Sequence, residues 1–202
     1  MKSSHVLYEY SDQEADIMRK VYVFLADGFE EIEGLTVVDI LRRAQIDVET
    51  VSVMGREEIL GSHKIRVKAD RLLEEIRPEE AQMLVLPGGL KGTENLEQCR
   101  PLLEAVKKAY DDGRKVAAIC AAPRILAGLG ILDGKKATVY PGMESYLAKA
   151  DVQKVPAVTD GTVTTGRGMG AAVPFALELT AVLLGQEKAA EIGRQIVYQP
   201  GN

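Results

Sequence analysis

Two cysteines, two histidines and no tryptophan occur among the 202 residues. Cys99 and Cys120 lie in very different surroundings, and no apolar signal segment opens the chain. A secreted, disulfide-bonded product is therefore not expected, and a reducing cytoplasm is the default. His5 belongs to a polar N-terminal stretch and His63 to a hairpin-like one. Neither follows a core strand, so a Cys–His pair of the kind that activates a thiol for peptide hydrolysis is hard to assemble. No group of His, Cys, Asp and Glu has metal-ligand spacing along the chain, so no metal is expected. A basic stripe is also missing: Lys and Arg are scattered among acids at a net charge of -5, which leaves no footprint for nucleic acid. The longest apolar stretch, Ala171 to Leu184, is interrupted by Pro174 and Glu178 and falls short of the roughly 20 residues a membrane helix needs. A soluble protein follows.

What is present is the make-up of an ordinary globular domain, with 46% hydrophobic and 27% charged residues. A chain of this length suits one core and buries roughly 70% of its unfolded surface. Residues 1–20 are polar and acidic and read as an appendage of unknown role, with a single domain over 21–202. Val21 to Leu25 is a continuous apolar, β-branched run, the pattern of a strand buried on both faces of a parallel sheet. From Glu30 to Ala44, Ile32, Leu35, Val38 and Leu41 recur three apart, with acids in the first turn and Arg42 and Arg43 in the last, as the helix dipole favours. Strand and helix signals then alternate. Strands are expected at Val48 to Val53, Met83 to Leu86, Lys115 to Ile119, Ala137 to Tyr140 and Thr162 to Thr165. A hairpin-like stretch spans Glu57 to Val67, and a short helix is expected near Leu72. Further helices end at Asp112-Gly113, run from Ala121 to Leu129, and close the chain over Ala171 to Leu184 and Glu187 to Val197. This order predicts an α/β fold, a mostly parallel central sheet between helices with a small antiparallel hairpin insertion. Chemistry in such a fold gathers at the carboxyl ends of the strands.

Cys120 stands at such an end. Lys115 to Ile119 runs straight through Cys120 into Ala121, Ala122 and Pro123, where small residues permit a sharp turn and Pro suits a first helical turn. A helix N-terminus lowers a thiol's pKa, so a reactive thiolate is expected. Burial as a small apolar side chain closing a strand is the alternative use of a cysteine here. Glu33, next to Ile32 and Gly34, turns with Val37 toward the end of the sheet. A carboxyl beside a thiolate has its pKa raised by desolvation and like charge, and can donate a hydrogen bond to sulfur. Glu30 and Glu31 suit a wet helix start. In Leu86-Pro87-Gly88-Gly89-Leu90-Lys91-Gly92 the glycines allow close backbone approach, and Gly89 with Ala121 can supply oxyanion-type N–H donors. The glycine spacing fits neither the Walker nor the dinucleotide pattern. Cys99, in a helix before Arg100-Pro101, reads as structural.

Four ordered stretches carry a resemblance: Ala26-Asp27-Gly28-Phe29-Glu30-Glu31-Ile32-Glu33, Leu86-Pro87-Gly88-Gly89, Ala117-Ala118-Ile119-Cys120-Ala121-Ala122-Pro123 and Thr165-Gly166-Arg167-Gly168. The chain resembles the ThiJ/PfpI superfamily from about Val21 to the last helix, and looks closest to the branch of the parkinsonism-associated deglycase. The resemblance implies a flavodoxin-like three-layer sandwich, a homodimer, Cys120 as nucleophile or oxidation site and Glu33 as its protonated partner. Gly89 and Ala121 would flank the sulfur, and Gly88, Tyr140 and Arg167 would line the substrate pocket. It implies cofactor-free chemistry on a small aldehyde or glycated substrate, of glyoxalase or deglycase type, or redox sensing by oxidation of Cys120 to sulfinate without turnover. Two departures bear on this. Tyr140 stands where many relatives of that branch carry His, and Tyr, with a pKa near 10, is a poor base at neutral pH. Ala121 stands where the protease-like branch has His, which argues against peptidase activity.

Overall fold

The computed structural model describes residues 20–199. The appendage expected over residues 1–20 therefore lies, apart from Lys20, outside the described residues, as does His5. Val21–Leu25 (β1) is buried at every position, because it runs between two parallel neighbours with a packed layer on each face. Alternate side chains of a strand face opposite ways. Val21, Val23 and Leu25 accordingly pack with Val37, Leu41, Phe175 and Leu179, whereas Tyr22 and Phe24 pack with Leu84, Leu102, Val106 and Ile125. One apolar core per face gives the three-layer α/β sandwich.

After β1 comes α1 (Glu31–Arg43), with Glu31 and Glu33 in its first turn and Arg42 and Arg43 in its last. β2 (Val48–Ser52) lies beside β1. The expected hairpin is β3 (Glu58–Leu60) paired antiparallel with β4 (Arg66–Lys68), outside the main sheet. The short helix expected near Leu72 is instead an edge strand, β5 (Arg71–Leu72), running into a single 3-10 turn over Leu73–Glu75. Pairing with Val51 and Ser52 of β2 claims Arg71 and Leu72 for the sheet. β6 (Met83–Leu86), α2 (Leu90–Gln98), α3 (Arg100–Asp111), β7 (Lys115–Ile119) and α4 (Pro123–Gly128) follow. The strand expected from Ala137 to Tyr140 shrinks to β8 (Lys136–Ala137), which pairs not with the main sheet but with β9 (Asp151–Val152). β10 (Ala157–Asp160) and β11 (Val163–Gly166) form a hairpin, and α5 (Ala172–Leu184) and α6 (Gln186–Gln195) complete the described elements. No helix among the described residues is long and apolar enough to cross a membrane.

The main sheet has the order β10-β11-β7-β6-β1-β2-β5, and only the β10–β11 pair is antiparallel. From β1 the chain builds outward through β2. It then crosses to the other side of β1 and builds through β6 and β7. The strand order thus reverses between β1 and β6, and the loops at their carboxyl ends diverge there, leaving the crevice where sheets of this kind hold their chemistry.

Candidate active site

Three loops meet at that crevice. Cys120 follows β7 with φ of 65°, a left-handed conformation that ordinary side chains avoid. The turn is held at both ends: the Cys120 N–H donates to Gly166 O at 2.9 Å, and its carbonyl accepts from the Tyr140 N–H at 2.9 Å. Pro123 opens the helix just beyond. This is the sharp strand-to-helix elbow expected, and it leaves Cys120 only 7% exposed.

Glu33, in the first turn of α1, is fully buried. Its Oε2 accepts a hydrogen bond from the Gly88 N–H at 2.9 Å, and among the described residues Oε1 has no hydrogen-bond partner that meets normal geometry. Gly88, after β6, is wedged between the two acids: a Cβ there would lie 2.5 Å from Cys120 Cβ and 2.5 Å from Glu33 Oε2. Gly89 has φ of 86°, and a Cβ on it would lie 2.4 Å from Gly28 O. These two glycines are therefore needed for close approach, one between the acids and one against the loop after β1. The backbone N–H groups of Gly89 and Ala121 both favour charge on the Cys120 sulfur.

The electrostatics of the pair correct one expectation. Burial, then the charge of Glu33, push the Cys120 thiol up to about 12, and the Gly89 and Ala121 N–H groups only partly oppose this. Burial also pushes Glu33 up to about 7, with the charge of Glu30 adding to it and the Gly88 N–H acting against it. Two acids in one dry site titrate as a unit. Burial and mutual repulsion thus favour a pair that keeps one proton, which can sit on sulfur or on oxygen.

The remaining expected residues divide. Tyr140 and Arg167 lie together beside the elbow. They share an open groove of about 630 Å³ with Lys154, Met169 and Tyr198. The groove adjoins the elbow through the backbone: Tyr140 N–H bonds to Cys120 O, and Arg167 directly follows Gly166. Cys99 is half-buried where α2 meets α3. Linear spacing hid two groups that the fold assembles. Arg124, in the first turn of α4, grips Glu97 of α2 through two hydrogen bonds of 2.8 and 2.7 Å. His63, on the loop between β3 and β4, meets Glu30 and Glu31.

A family model described as the DJ-1/PfpI family matches residues 19–182. The chain is 41% identical over 184 residues to Protein DJ-1 homolog B of Arabidopsis thaliana, covering 90% of this chain but 42% of that protein. It likewise covers 48% of the Arabidopsis homolog A, so it spans less than half the length of both plant relatives. A protein of Pyrococcus abyssi named a deglycase is 35% identical over 153 residues, covering 75% of this chain and 91% of that one. The crystal structure of Drosophila melanogaster DJ-1beta superposes with a TM-score of 0.86 at 32% identity, covering 91% of this chain and all of the other.

Proposed function

This chain belongs to the DJ-1/PfpI family, and from that premise we propose that it removes reactive carbonyls, as a cofactor-free glyoxalase or deglycase working through Cys120 and Glu33. The observation that carries the reading is the placement of one nucleophile and one fully buried carboxyl on either side of the Gly88 backbone. The thiol adds to the aldehyde carbon of a dicarbonyl such as methylglyoxal while its proton passes to the Glu33 carboxylate. Glu33 hands that proton to the new alkoxide, held near the Gly89 and Ala121 N–H groups, which gives a hemithioacetal and frees the carboxylate. The Glu33 carboxylate then takes the proton of the former aldehyde carbon and returns it to the neighbouring carbonyl carbon, while the hydroxyl proton passes to that carbonyl's oxygen. The first carbon is oxidised and the second reduced within one molecule, so no external electron carrier is needed. Water cleaves the resulting thioester, regenerates the thiol and releases a hydroxy acid such as lactate. A glycated substrate would enter by the same carbonyl chemistry, and the relative named a deglycase supports that extension. We further take residues 21–202 as one domain, acting as a homodimer in the cytoplasm.

The test is lactate formation from methylglyoxal by purified wild type, Cys120→Ser and Glu33→Gln. Turnover by wild type that both variants lose supports the reading, and equal rates in all three overturn it. A second reading is favoured by the two N–H donors at the sulfur: oxidation of Cys120 to sulfinate, whose charge they would stabilise, acting as a redox signal without turnover. Graded peroxide followed by mass spectrometry checks it, and preferential oxidation of Cys99 would sink it.

A further inference from the structure

Gly89 opens α2, and Ala121 stands in the turn that opens α4. Gly89 lies three residues past Leu86, and Ala121 three past Ala118, the last paired positions of β6 and β7. Among the described residues, no backbone hydrogen bond joins the two loops beyond that ladder, and neither N–H donates to a backbone oxygen. Both act on the Cys120 sulfur instead. Two donors that must converge on one atom are thus carried by two helices whose spacing the sheet does not fix.

One pair of side chains joins those helices. Arg124 of α4 donates to Glu97 of α2, at 2.8 Å to Oε1 and 2.7 Å to Oε2, and among the described residues no other hydrogen bond connects α2 with α4. The Arg124 side chain is 9% exposed, with its guanidinium 5.5 Å from the centre of the Tyr146 ring. A fork of two N–H···O bonds fixes angle as well as separation, and a cation this buried strongly disfavours loss of its partner. Each end of the pair connects to one donor. The Arg124 N–H donates to Ala121 O at 3.3 Å, and one turn before Glu97 the Thr93 N–H donates to Gly89 O at 2.8 Å.

We propose that Arg124 and Glu97 are positioning residues for the Cys120 site, setting the separation at which the Gly89 and Ala121 N–H groups meet the charge that develops there. The proposal rests on Cys120 and Glu33 being the reacting pair. During addition to a carbonyl, negative charge moves from sulfur to the new alkoxide, and two N–H groups already at the right spacing stabilise it without rearranging. Loosening the fork leaves both donors present but misaimed, which weakens the transition state more than ground-state binding.

Methylglyoxal kinetics and NMR amide shifts of the purified full chain test it, in wild type, Arg124→Lys and Glu97→Gln. Lysine keeps the charge but not the fork, so a role of charge alone would leave Arg124→Lys active. The expected result is a kcat lower by about tenfold or more in each variant, a KM changed by less than about twofold, and no further loss when the two substitutions are combined. The amide resonances should respond across the gap: Gly89 on α2 in Arg124→Lys, and Ala121 beside α4 in Glu97→Gln. A local structural role would move only the helix that carries the substitution. Failure of wild type to turn over methylglyoxal would sink the Cys120–Glu33 reading, and the cross-helix shifts would then decide the positioning role by themselves. Unmoved cross-helix resonances, or an unchanged kcat in an active enzyme, overturn the proposal.

Discussion

Cys120 and Glu33 press on the Gly88 backbone from two sides, leaving no room there for even one added carbon. The first prediction concerns that wedge. In Gly88→Ala the new Cβ meets Cys120 Cβ, Glu33 Oε2 and Ile119 O, all within 2.8 Å. Glu33 Oε2 ends a side chain held by the Gly88 N–H, but Ile119 O is backbone and Cys120 Cβ is fixed to it, so the loops must separate. Overpacking of this kind costs about 1–3 kcal/mol, measurable by urea unfolding. A displacement of about 1 Å between reacting groups costs on the order of a hundredfold in rate, so methylglyoxal turnover should fall far more than stability does. Unchanged turnover in a folded Gly88→Ala variant would remove Gly88 from the argument.

Glu33 makes stability depend on pH with a definite sign. Burial raises its pKa from 4.5 to about 7, so between those values the unfolded chain has released a proton that the folded chain keeps. The stability this group contributes is full below about pH 4.5 and is lost as pH rises through about 7. A shift of that size corresponds to about 3 kcal/mol. Urea unfolding of wild type and Glu33→Gln at pH 5 and pH 8 should show wild type losing about that much more stability than the variant. Parallel pH profiles would contradict the assignment.

Much of this was legible in the chain, for physical reasons that differ from place to place. β1, β6 and β7 were readable because strands buried on both faces must be apolar throughout, and the elbow because Cys120 runs directly into small residues and Pro123. β10 was missed: Ala157 to Asp160 is half-buried at every position, and its partly polar run carries no core signal. β8 was read too long because Thr138 and Val139 are buried although they do not extend the strand. The direction of the Cys120 pKa also escaped local reading. A helix N-terminus is visible in sequence, but the burial and neighbouring charge that outweigh it exist only once three distant loops meet. His63 was dismissed for lacking a core strand, since its proximity to Glu31, 32 positions earlier, is created entirely by the hairpin.

The elbow predicts an inverted order of two substitutions. Alanine normally stabilises a chain relative to glycine because the unfolded chain has fewer states to lose. Position 120 has φ of 65°, where a Cβ costs about 1–2 kcal/mol that glycine avoids. Cys120→Gly should therefore match or exceed Cys120→Ala in stability by up to about 1 kcal/mol, with both inactive. An alanine variant clearly more stable than the glycine variant would show that the turn is unstrained.

Arg124 fastens the helix that begins at the elbow. Its side chain is 9% exposed, and its guanidinium pairs in a fork with Glu97 and lies 5.5 Å from the centre of the Tyr146 ring. Lysine keeps the charge but cannot form the fork or stack in the same way. Because Glu97 is 36% exposed, solvent screens the pair, and Arg124→Lys should cost only about 1 kcal/mol in urea unfolding. Crystallographic or hydrogen-exchange loosening of the Ala121–Pro123 turn should accompany it. A neutral substitution with unchanged exchange would confine Arg124 to the surface.

The groove beside the elbow bears on substrate charge. Lys154 and Arg167 line it, and among the described residues no acidic one does. A cationic groove lowers the KM of anionic substrates without touching neutral ones. Wild type should therefore show a lower KM for glyoxylate, an aldehyde that carries a carboxylate, than Arg167→Ala does, while the KM for neutral methylglyoxal changes little between them. Removing one partly screened charge interaction is worth about 1 kcal/mol, or roughly fivefold in KM for the anion. The kcat values should stay close, because the charge of Arg167 acts on binding while Cys120 and Glu33 carry the chemistry. A fall in kcat for both substrates would instead place Arg167 in the chemistry, and equal KM changes for both would deny the groove any role in reading charge.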